Sequence, residues 1–148
     1  MDAPKHLGHK PILEVADYNE HDGVYDVSTD AKALSIGLAQ WDKDDEGVVS
    51  VKVWRNNGTS WKPNSEEMPL HRALDMAYLV ALAYDDVQSH RIENYRDQQV
   101  LPSYTDFTIR VSDASKTDVL KKYVEEHQDT LRKRLKVLKD KLNAMPDI

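Results

Sequence analysis

The chain has 148 residues, 40% of them hydrophobic and 31% charged, with a formal net charge of −6. That length and composition suit one globular domain with an ordinary core, and are too apolar for a disordered chain. The absence of cysteine excludes disulfides, thiolate metal ligands and a cysteine nucleophile, and Met76–Tyr84, the longest uncharged apolar run, is too short to span a bilayer.

The N-terminus shows no apolar signal core, so a soluble, cytoplasmic protein is expected. Charge is unevenly spread. Residues 1–114 carry eleven basic and twenty acidic side chains, whereas Ser115–Asn143 carries nine basic and five acidic ones. An acidic body disfavours nucleic acid as a partner.

Residues 1–28 read as largely irregular, broken by Pro4, Gly8, Pro11 and Gly23, with Pro11–Ala16 a short strand candidate. Ser28-Thr29-Asp30 offers capping oxygens before Ala31–Trp41, where Leu34, Leu38 and Trp41 share a helical face. A helix is predicted there, and Gly37 inside it implies close packing, since glycine costs about 1 kcal/mol against alanine in a helix.

Val48–Asn56 and Thr59–Lys62 flank Asn57-Gly58, a hairpin signal. A two-residue loop sets Asn56 opposite Thr59 and Trp54 opposite Trp61. Val49, Val51 and Val53 then form the core face, and the two tryptophans a partly exposed pair able to brace the hairpin or stack a base or sugar. The acidic run Asp42–Val49 resembles the start of a calcium loop, but Val53 stands where the bidentate glutamate belongs, so an acidic turn is expected.

Met68–Val87 reads as a long, buried central helix, because Ala73–Tyr84 is apolar nearly all round. Gln88–Ser103 is polar, and Asp106–Val111 alternates like a strand with Phe107, Ile109 and Val111 inward. A long amphipathic helix follows from Ser115. Its apolar row narrows beyond Leu131 to a seam with basic flanks, which suits homodimer contact through Leu131–Met145.

One charged constellation stands out. Glu66 and Glu67 precede the long helix, and His71, Arg72 and Asp75 can meet on its surface at spacings of three and four. Such a set could bind a metal or act as acid and base, yet one helix lacks the second element that completes most sites, and structural ion pairing explains it as well. His6 and His9 could chelate a metal if ordered. No nucleotide, dinucleotide or serine-hydrolase motif occurs, and no cofactor is implied.

The segments T-D-A-K-A-L-S-I-G-L-A-Q-W (Thr29–Trp41), V-K-V-W-R (Val51–Arg55) and S-E-E-M-P-L-H-R-A-L-D (Ser65–Asp75) resemble a family of small uncharacterised bacterial proteins classed as a domain of unknown function. The resemblance covers about residues 10–87. It implies a soluble bacterial protein and supplies no catalytic residues. The expected architecture is α+β: a small, mainly antiparallel sheet on two or three helices. The expected role is a non-enzymatic interaction or self-associating domain, paired with itself or another protein and not with nucleic acid or membrane. The alternative is an enzyme or small-ligand binder built on the Glu66–Asp75 set.

Overall fold

The computed structural model describes residues 1–62 and 65–148, and the chain is α+β. It divides into two compact units, Met1–Met76 and Ala77–Ile148.

The first unit is built on an antiparallel sheet of β1 (Lys10–Val15), β2 (Ala31–Leu38), β3 (Val49–Arg55) and β4 (Glu67–Pro69), paired in that order. The helix predicted at Ala31–Trp41 is therefore the strand β2. Its burial alternates strictly, with Ala31, Ala33, Ser35 and Gly37 sealed and Lys32, Leu34 and Ile36 partly open. A helical spacing of leucines was present, but the period of two governs, because β1 and β3 pair on both sides. Gly37 does mark close packing: a Cβ there would lie 2.0 Å from the Lys10 carbonyl oxygen.

The sheet's sealed face carries Ala33, Ser35, Ser50, Lys52 and Trp54, and the N-terminal residues Ala3 and His9 are buried in the same unit. Leu34, Ile36, Val51 and Val53 lie on the opposite face with Leu13, which is 67% exposed. This reverses the expected sides of the hairpin. Trp54 is 1% exposed and packs with Ala3, Ala33 and the partly buried Trp61, while the valines face the open side. The tryptophan rings meet edge-on at 5.8 Å, so they brace the core and leave no flat platform for a base or sugar.

The hairpin register also differs from the two-residue expectation. Asn56 pairs with Trp61, and the Lys62 amide donates to the Arg55 carbonyl at 2.8 Å, which leaves a four-residue loop. A type I′ turn needs positive φ at both central residues, and of Asn57 and Gly58 only the glycine has it, at 103°. Asn57 instead uses its side-chain oxygen to accept the amides of Thr59 and Ser60, each at 3.0 Å. In the preceding acidic turn, Asp42 accepts the amides of Glu46, Gly47 and Val48, which occupies the first carboxylate of the calcium-like run with backbone.

Helix α1 spans Leu70–Gln88 and contains the boundary between the units. It forms where predicted, but it is not the buried spine: Leu74 is 66% exposed, and Met76, Leu79 and Val80 are about half exposed. Only Asp86 and Val87 are buried, since core contacts concentrate in its last turns.

In the second unit Val87, Ile92 and Val124 form one cluster, joined by Tyr84, Tyr95 and Leu131. A second gathers Leu101, Ile109 and Val111 around the short pair β5 (Val100–Leu101) and β6 (Ile109–Arg110). Phe107 lies outside this cluster and is exposed, because the strand is shorter than its alternation suggested. His90, at φ 63°, ends the descent of α1 in the left-handed conformation that helix C-termini favour.

The C-terminal helix is two helices, α2 (Thr117–Glu126) and α3 (Gln128–Asn143), broken at His127. The lead-in turn is capped by Asp113, which accepts the Ser115 amide at 3.0 Å.

Candidate functional site

The candidate charged set is not brought to one place. Glu66 leaves the sheet towards Arg55, which donates to it through Nε at 2.9 Å and through Nη2 at 2.7 Å. The same guanidinium donates to Asp30 at 2.6 Å, and Lys62 also pairs with Asp30. Asp30 is held below the usual carboxylate range by hydrogen bonds from Lys62 and then Arg55, and Glu66 is lowered chiefly by Arg55. This network fastens the start of β2, the end of β3 and the approach to β4.

Glu67 points to the sheet's sealed face. His71, Arg72 and Asp75 sit exposed on the first turns of α1, and none of their side chains joins a hydrogen bond or ion pair among the described residues. Among the described residues no group of three or more His, Asp or Glu side chains could hold a metal ion. His6 is exposed and His9 fully buried, so the pair does not share a surface from which to chelate.

His9 instead anchors a polar chain that sequence reasoning missed. Trp54 Nε1 donates to Ser35 Oγ at 2.8 Å, and Ser35 Oγ lies 2.9 Å from His9 Nε2. On the other side of the ring, Nδ1 lies 2.7 Å from Glu67 Oε1, which also accepts the Ser50 hydroxyl at 2.9 Å. One assignment fits the ring's contacts: Ser35 donates to Nε2, and neutral His9 donates from Nδ1, which lies 2.7 Å from Glu67 Oε1 and 2.9 Å from Ser50 Oγ, while the second Glu67 oxygen is buried without a hydrogen-bond partner among the described residues. Burial lowers the His9 pKa more than Glu67 raises it, in agreement with a neutral ring.

The order hydroxyl, imidazole, carboxylate is that of an activated nucleophile. Here, however, Ser35 is buried, and its hydroxyl already accepts the Trp54 N–H and faces His9. A nucleophile needs substrate access and donors aimed at a developing oxyanion, so this chain of bonds works as a lock between strands. Lys52 completes it, with Nζ 4.7 Å from the centroid of the Trp54 ring. The legible signal was the alternation of small or polar residues with Leu, Ile and Val along β2 and β3.

Among the uncovered surfaces of the described residues, one in each unit stands out. The open sheet face of the first unit forms a shallow concavity of about 480 Å³, lined by Leu13, Val15, Leu34, Ile36, Val53 and Met68 among others. In the second unit α3 has no buried residue. Leu131 docks on the Val87–Ile92–Val124 cluster, and the seam then runs outward through Leu138, 41% exposed, Leu142 and Met145. Within α3 the leucines at 131, 135, 138 and 142 follow gaps of four, three and four, a heptad spacing, with Val137 an apolar side chain outside the row and Met145 just past the helix end.

Residues 1–147 match the model of a family of unknown function, DUF6530. The chain belongs to that family. No curated protein and no solved structure matches it. The DUF6530 match runs well beyond residues 10–87 and takes in α2 and α3, so the seam lies within the family's own extent. No helix among the described residues is long and apolar enough to cross a membrane.

Proposed function

We propose that this chain is a non-enzymatic protein-interaction module that engages its partner through the seam of α3. The observation that carries this reading is the heptad-spaced row continuing past Leu135 on a helix with no buried residue. An exposed helix of this length is marginal alone, and an apolar seam gains its stability on pairing. The site chemistry supports the same reading, since the polar chain around His9 is sealed and the residues at the start of α1 are dispersed.

A photo-reactive amino acid at position 142 of the full chain tests it in cells. The expected result is a discrete cross-linked species that Leu138→Glu abolishes without changing the thermal midpoint. Recovery of the uncrosslinked chain alone overturns the reading. The specific concavity over Leu34, Ile36 and Met68 favours a second reading, a small apolar ligand on the sheet face with Glu66 at its edge. That reading requires an apolar fluorophore to brighten with the wild-type chain and not with Ile36→Glu; equal signals remove it.

A further inference from the structure

We infer that the partner of α3 is an amphipathic helix of another protein with acidic flanks, and not a second copy of this chain. The inference rests on the interaction reading above and names its partner class. In the register set by Leu131, Leu135, Leu138 and Leu142, the four positions bordering the seam are Arg132, Arg134, Lys139 and Lys141. All four are cationic.

These bordering positions decide which helices pair. In a parallel pair of identical helices, Arg134 of one faces Lys139 of the other. In an antiparallel pair, the like-numbered sets face each other, Arg134 against Lys141 and Arg132 against Lys139. Either geometry sets cation against cation along both edges of the seam, which opposes self-pairing. A helix with Leu, Ile or Val in its seam and Glu or Asp beside it converts all four contacts from repulsive to attractive. Both acids of α3 fall outside the bordering positions in this register: Asp129 and Asp140 lie on the outer face, and Asp140 is paired there with Lys136.

An anionic membrane is the other surface that attracts a basic amphipathic helix, and the seam does not fit one. Helices that lie in a lipid interface carry a wide apolar face with Trp, Phe and Leu. Residues 128–145 contain no aromatic side chain, and the apolar row is one residue wide for most of its length.

The test uses the full chain and two labelled helical peptides of 21 residues with Leu at both seam positions, one flanked by Glu and the other by Lys. Anisotropy titration should give at least tenfold tighter binding for the Glu-flanked peptide, weakened by raising salt from 50 to 500 mM. Leu138→Glu/Leu142→Glu should abolish that binding while circular dichroism shows an unchanged thermal midpoint. Equal affinity for both peptides overturns the inference, as does preferential binding to phosphatidylserine vesicles. Sedimentation of the full chain separates the two levels of failure. A dimer that the double variant dissolves refutes the acidic partner and leaves the α3 interaction standing; a monomer that ignores both peptides refutes both.

Discussion

On one face of the β1–β4 sheet Ala33, Ser35, Ser50 and Trp54 are sealed, whereas on the other Leu34, Ile36, Val51 and Val53 stay partly open. Hydrophobicity alone ranks the second face as the one to bury. The first wins because its small side chains and hydroxyls fit His9 and Glu67, so the chain from Trp54 to Glu67 runs through hydrogen bonds, with the second Glu67 oxygen left buried and unpaired among the described residues. Burial of polar groups is tolerated when they are paired, and here the pairing also fixes the strands' positions. Which face is closed depends on the shape and donors of the available cover, as much as on the oiliness of the face.

The contrast is broken most directly at Trp54. Trp54→Ala should cost about 3–5 kcal/mol in urea unfolding, because it empties a sealed site and strands Ser35, while Val53→Ala across the pleat should cost about 1 kcal/mol or less. Equal costs would show that the two faces are buried alike. Gly37→Ala should cost about 1–3 kcal/mol by forcing β1 off β2, since the added carbon meets backbone. Rapid amide exchange confined to Lys10–Val15 would confirm where the damage falls.

The pH dependence sharpens the comparison at His9. Its folded pKa lies below the ordinary value of 6.5, so the unfolded state takes up the proton first as pH falls. Stability is therefore full above pH 6.5 and declines below it, with a limiting slope of about 1.4 kcal/mol per pH unit. His9→Gln should flatten urea midpoints measured between pH 7 and 5; an unchanged profile would assign the decline to another group. The smallest effect is expected on the open face, where Leu13→Thr should move stability by no more than about 0.5 kcal/mol. A larger loss would reveal a cover over that face.

The sequence disclosed the α+β class, the strand near residue 11, the hairpin between β3 and Lys62, and the existence of α1 and of a C-terminal helical region. Periodicity served well where one period was present. It misled at Ala31–Trp41, where leucines at helical spacing also alternate with Ala, Ser and Gly, and only pairing with β1 and β3 decides between the two periods. The apolar run in α1 was read as buried, although an apolar side chain reports a need for cover and not its presence. The alternation along β2 and β3 marked the polar face, but the chain of bonds itself was hidden because residues 9, 35, 50 and 67 meet only through tertiary structure. The α3 seam was legible as the narrow apolar row beyond Leu131, but the break between α2 and α3 at His127 was not.

The wide sequence separation of His9 from its partners bears on how the protein is made. During synthesis the ninth residue leaves the ribosome long before Glu67 exists, so its imidazole must wait, wet and unpaired, while most of the first unit is translated. Contacts this distant along the chain also slow closure.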